Sequence, residues 1–235
     1  MLGQNQHSRC GVPMPPGILA PPLVALEGID QDLLQVQAER LCHWLRDQQI
    51  AAEQTLEPTQ GPVGVQIRLV QQGRLQLPPT SVALLEVADR LDHLSCPGGI
   101  LAWLAERRIV ICVHYTLFAY ASHWHELDWT WLRQINARCR PPDLTLFIDT
   151  PVPPAAQAEQ LDRNYRAALA ALQGERDPIA VIDGSGSEDE ILCACKAQLA
   201  PLLSRFSPRP HFGGGAGVGD SGHATQSRAG SLYRL

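Results

Sequence analysis

The chain has one lysine, Lys196, against 18 arginines, so any site that needs a lysine has a single candidate. Its basic residues number 19 against 24 acidic ones, a formal net charge of −5, and nothing resembles the basic surface that nucleic acid requires. No apolar run approaches the roughly 20 residues that span a bilayer, and the N-terminus has no charged segment leading into an apolar one. No nucleic-acid or membrane partner is expected, and the chain is expected to be soluble and cytoplasmic. Even pairing is missing too. The seven cysteines are an odd number scattered through apolar segments, which fits buried free thiols better than a disulfide framework. What is present is 45% hydrophobic and 18% charged residues over 235 positions, enough for one globular domain with appendages.

Residues 1–20 are rich in Gly, Pro and Gln, and residues 206–235 in Gly and Ser; both lack a period and read as disordered tails. The domain is expected over 21–205. Within it, short apolar runs of the buried-strand kind lie at 23–26, 50–56, 109–113, 144–148 and 179–182. Helical patterns lie at 31–48, 64–71, 82–94, 98–107, 127–138, 155–172 and 189–205. Strands separated by crossover helices make an α/β fold: a parallel five-stranded sheet with helices on both faces, in three layers. Ligands in such folds sit at the carboxyl ends of the strands.

After the first strand the chain reads Glu27-Gly28-Ile29-Asp30 and continues into Gln37-Ala38-Glu39-Arg40-Leu41. Thr55, Glu57 and Pro58 follow the second strand, then Gly61-Pro62, Gly64 and Ile67-Arg68. Ala88-Asp89-Arg90 with His93, Tyr115-Thr116, Pro142-Asp143-Leu144-Thr145, Ile148-Asp149 and Val181-Ile182-Asp183 come after in order. In kind, order and spacing these landmarks resemble the thymidylate kinase (dTMP kinase) family over about residues 22–203. The resemblance implies a P-loop-NTPase-like fold and a site for ATP, Mg²⁺ and dTMP.

The residues that such a site needs are replaced. A phosphate-binding loop reads G-x-x-x-x-G-K-S/T, because glycine lets backbone N–H groups wrap phosphate, lysine neutralises it and the hydroxyl holds Mg²⁺. After Gly28 the family's G-S-G-K-S is Gln31, Asp32, Leu33, Leu34 and Gln35, so leucine stands for lysine and Asp32 adds a negative charge. The family's D-R-Y is Val113-His114-Tyr115, the arginine of T-R-E-P is Leu56, and the thymine-stacking aromatic is Glu86. The arginine-bearing lid gives way to a short segment containing Pro151-Val152-Pro153-Pro154. One arginine alone is worth about 10³–10⁵ in phosphoryl-transfer rate. The expected function is therefore binding or dimerisation by a catalytically dead relative or a nucleotide sensor, with no cofactor and no catalytic residue. The alternative is an active nucleoside-monophosphate kinase using ATP and Mg²⁺, with new phosphate ligands among Arg68, Arg90, Arg107 and Arg108.

Asp30, Glu57, Arg90 and Tyr115 remain as a substrate-site remnant that could line a shallow polar cleft. The structural reading of the same residues is that Arg90 and Asp89 form helix salt bridges and Tyr115 packs under the sheet. A metal at His123-Trp124-His125-Glu126 lacks third and fourth ligands, and Cys193 and Cys195 project about 200° apart on a helix, so no metal is expected. Trp124, Trp129 and Trp131 read as packing or contact residues, and Ser187 or Asp189 as the cap of the last helix. A homodimer or a protein partner is expected through 82–94 and 127–138, where Val82, Leu85 and Asp89 share a stripe that is either a contact or core. A nucleotide is left open as a ligand.

Overall fold

The computed structural model describes residues 20–173 and 178–206. Apart from Ala20 and Phe206, the two segments read as tails lie outside the described residues. Phe206 is buried against the core, with the Arg107 guanidinium carbon 4.8 Å from its ring centre.

The elements in chain order are β1 (Leu23–Glu27), α1 (Gln31–Asp47), β2 (Ala52–Leu56), α2 (Pro62–Gln71), α3 (Pro79–Ser95), α4 (Ile100–Ala105) and β3 (Ile109–Val113). There follow α5 (Thr116–His123), α6 (Trp129–Asn136), β4 (Leu144–Asp149), α7 (Ala156–Leu172), β5 (Ile179–Asp183) and α8 (Glu188–Arg205). All five strands pair parallel in the order β2-β3-β1-β4-β5, as the continuous apolar runs require. The order has a switch point at β1, whose carboxyl end opens between β3 and β4.

Strand alternation divides the core into two faces. Val24 and Leu26 of β1 and Ile109, Ile111 and Val113 of β3 join Leu34, Leu41 and Leu45 of α1 and Leu199 of α8. Leu23, Ala25, Val110 and Cys112 face the other way, onto Val87 and Leu94 of α3 and Ile100 of α4. Tyr165 and Phe147, ring centres 5.1 Å apart, anchor a third cluster beneath α5 and α7. Ser187 caps α8 in a reciprocal arrangement with Glu190, as its position before the apolar run suggested.

One expectation needs correction. Residues 108–126 carry no expected helix, yet His123 ends one, α5, which lacks a capping side chain because Tyr115 stands at its N-cap. On α3 the stripe of Val82, Leu85 and Asp89, either contact or core by sequence, turns inward, with Asp89 buried and Val82 and Leu85 half-buried, and the solvent-facing residues are Leu84, Ala88 and Leu91. The cause is that Glu86, Asp89, Arg90 and His93 all turn inward to polar partners and fix the helix rotation. Among the described residues no helix is long and apolar enough to cross a membrane.

Candidate functional site

The β1–α1 connection is three residues long, Gly28-Ile29-Asp30. Gly28 passes so close to β4 that a Cβ there would stand 2.7 Å from the Ile148 carbonyl oxygen. Helix α1 begins at Gln31, and Asp30 is its N-cap: the Oδ1 accepts from the Leu33 N–H at 3.0 Å while the Asp30 carbonyl accepts from Leu34 N–H at 3.0 Å. Gln31, Asp32, Leu33, Leu34 and Gln35 therefore form the first helical turn instead of an open loop. Leu34 is 1% exposed in the core, Leu33 packs against the same cluster, and the Gln35 carbonyl accepts from Gln54 Nε2 at 3.3 Å.

In front of this turn lies an open cleft of about 430 Å³ lined by Ile29, Asp30, Gln31 and Asp32 and, from the β4–α7 segment, Thr150, Pro151 and Pro153. Two carboxylates and no lysine or arginine line it. Arg166 of α7 is held at 2.9 Å by Asp149 at the end of β4 and at 2.9 Å by Asp162 of its own helix. The charge carried by the cleft's lining is negative.

Glu57, Arg90 and Tyr115 do come together, behind the sheet's carboxyl edge and away from exposed Asp30. Arg90 Nε donates to Glu57 Oε2 at 2.8 Å, Nη1 to Asn136 Oδ1 at 2.5 Å and Nη2 to the Tyr115 carbonyl at 3.1 Å. Burial alone would lower the guanidinium pKa, but Glu57, with Tyr115, Cys139 and Glu86 adding to it, more than offsets this and holds it raised. The expected helix salt bridges of Asp89 and Arg90 are absent. Asp89 instead accepts from the Thr59 N–H at 2.7 Å and the Thr59 hydroxyl at 2.6 Å, because α3 turns both side chains toward the β2–α2 loop. Tyr115 is buried under the sheet as expected, its hydroxyl donating to the Arg140 carbonyl at 2.8 Å.

Several members of this polar interior were not singled out as site residues. Glu27 is wholly buried, accepts from the Tyr115 N–H at 2.9 Å and the Tyr165 hydroxyl at 3.2 Å, and is pushed up to about 7 by burial. Its acidic residue type at the end of an apolar strand was the available signal. His93 Nδ1 lies 3.2 Å from Glu57 Oε1, and its Nε2 lies 2.7 Å from Thr55 Oγ1. Buried Glu86 pairs with His123 Nε2 at 3.1 Å. His114 is also buried, at φ +56°, with its ring stacked 4.3 Å from Phe118; burial pushes it down to about 4, so it is uncharged at neutral pH.

Glu57, Glu86, Asp89, Arg90 and Phe118 surround a pocket of about 10 Å³, room for one water. Trp124 and Tyr120 pack on Trp129, each with ring centres 5.0 Å from it. His123 is buried beside Glu86 while His125 is exposed, and Cys193 is exposed while Cys195 is buried, so neither pairing converges on one ion.

The family described as "Thymidylate kinase" matches the chain over residues 26–178. "Probable thymidylate kinase" proteins of Pyrococcus horikoshii and Pyrococcus abyssi are 34% and 36% identical over 135 residues, 55% of this chain. In each case the chain spans 65% of the relative's length. A "Thymidylate kinase" of a Synechococcus species is 28% identical over 204 residues, covering 80% of this chain and 99% of that protein.

Proposed function

The chain belongs to the thymidylate kinase family, and on that footing we propose that it works by binding, as a homodimer or with a protein partner, instead of transferring phosphate from ATP to dTMP. The observation that carries this reading is the β1–α1 turn, where Asp30 caps a helix already formed at Gln31 and Leu34 is core. Phosphoryl transfer depends on positioned donors and positive charge around the moving group. In this chain the N–H of Leu33 is occupied by Asp30, His114 is neutral, and two carboxylates face the cleft.

The arginines that an active enzyme would recruit are elsewhere. Arg107 and Arg108 precede β3, at the opposite end of the sheet from the cleft, and Arg108 pairs with Glu53 and Glu106. Arg68 donates to the Pro58 and Thr59 carbonyls, and Arg90 is held by Glu57, Asn136 and Tyr115. A binding role needs a surface, and Leu84 and Leu91 on α3 with Leu101 on α4 supply exposed apolar side chains.

A coupled assay with ATP, Mg²⁺ and dTMP is expected to give no turnover above background. Turnover near about 1 s⁻¹, the low end for kinases, would refute the reading. A thermal-shift panel of nucleoside mono- and triphosphates separates the two binding roles. A ligand at 100 times its Kd adds about 2.7 kcal/mol, so a response marks a nucleotide sensor and none marks a protein-binding scaffold.

A further inference from the structure

We propose that Glu57, His93 and Cys112 form a buried zinc site joining β2, α3 and β3. Each offers one donor atom, and the three atoms lie within 4.8 Å of one another. All three side chains are buried, and the oxygen, nitrogen and thiolate sulfur they present are a borderline-soft set that favours zinc over magnesium or calcium. Ligand atoms around tetrahedral zinc stand about 3.3–3.8 Å apart, as bond lengths of about 2.0–2.3 Å dictate. His93 Nδ1 and Glu57 Oε1 are already 3.2 Å apart, so a contraction of about 1 Å in the widest pair completes the triangle. A fourth position is left for water.

The groups behind these ligands are arranged as metal sites require, which a chance cluster need not be. Parallel pairing sets Thr55 beside Cys112 in the sheet, and Thr55 Oγ1 lies 2.7 Å from His93 Nε2. That contact fixes the ring with Nδ1 turned to Glu57. The other Glu57 oxygen accepts from Arg90 at 2.8 Å, which orients the carboxylate and leaves Oε1 to the ion. The Cys112 thiol donates to the His114 carbonyl at 3.2 Å; on binding, that proton is released to solvent and the sulfur turns to the metal. Charge points the same way. Among the described residues, and with Glu27 left aside, the buried carboxylates are Glu57, Glu86 and Asp89, and Arg90 is the one buried guanidinium or ammonium, so the interior is short of cations. The site is independent of whether the chain transfers phosphate.

The test is to strip the full chain with chelator under reducing conditions and titrate it with Zn²⁺, and separately with Co²⁺ as a spectroscopic probe. One equivalent should bind, with a Tm rise of about 5–10 °C at 100 times Kd and a thiolate-to-cobalt charge-transfer band in the near ultraviolet. Cys112→Ser should abolish the band, and His93→Gln should abolish the Tm rise. Thr55→Val, which keeps all three ligands, should weaken binding about 10–100-fold and covers the case in which a ligand variant fails to fold. Cys193→Ser and His125→Ala should change nothing. The proposal is overturned if the wild-type chain shows no band and no Tm rise, or if Cys193→Ser or His125→Ala removes either.

Discussion

Glu27 and His114 make opposite demands on pH, and the pair gives a sharp prediction. Glu27 has a pKa raised from 4.5 to about 7 by burial, so the folded chain keeps a proton that the unfolded chain releases. Stability from this group is fully present below about pH 4.5 and is lost as pH rises toward 7, by about 3 kcal/mol. His114 is lowered from 6.5 to about 4, so the unfolded chain takes up a proton that the folded chain refuses. Its contribution is present above about pH 6.5 and is lost toward pH 4, by a similar amount of about 3 kcal/mol. The two slopes oppose each other between about pH 4.5 and 6.5, and the wild-type chain should be nearly flat there. Glu27→Gln removes one of them. The amide fits, because the Tyr115 N–H can donate to its oxygen and the Tyr165 hydroxyl can accept from its nitrogen while donating to the Gly28 carbonyl, now 3.3 Å away. Urea melts from pH 4 to 8 should show Glu27→Gln gaining stability with rising pH up to about 6.5, and exceeding wild type by about 3 kcal/mol at pH 8. Parallel curves for the two proteins, or a variant less stable than wild type at pH 8, would refute the protonated carboxyl.

Other substitutions test other parts of the fold. Leu34→Lys, the change that would restore the loop's lysine, should destabilise the chain by about 3 kcal/mol in melts, since it places a charge in the core, and should not yield kinase activity. Arg90→Ala should cost about 3–5 kcal/mol because buried Glu57 loses its partner; a loss under 1 kcal/mol would show that water replaces the guanidinium. Leu84→Glu with Leu91→Glu should convert a dimer to a monomer in sedimentation while leaving Tm within a few degrees; unchanged mass at tens of micromolar would remove this stripe as the contact.

The sheet was legible because β1 and β3 are buried on both faces, so their sequences are unbroken apolar runs whose partners need no guessing. α5 was not legible: Thr116 to His123 has no capping side chain and only eight residues, and its helical state is set by packing on α7. The residue types at 31–35 could be read directly, but not their conformation. Asp30 looks like a retained loop residue in the sequence, and only its bond to Leu33 makes it a cap. Asp89 and Arg90 suggested local helix pairs because sequence shows neighbours along the chain. Their partners, Thr59 and Glu57, lie 30 and 33 positions away, and such distances are closed by topology, not by pattern.

The three-residue β1–α1 turn makes an open loop in front of α1 a costly conformation. Opening residues 31–35 into a loop would strip the Asp30 cap at about 1 kcal/mol and expose Leu34 at about 2 kcal/mol, before one new bond to phosphate existed. No single substitution performs that rearrangement, because the cap, the helical turn and the buried leucine must all be undone together. The cap, the first turn and the core leucine thus act as one unit, and a substitution at any of them is felt by the other two.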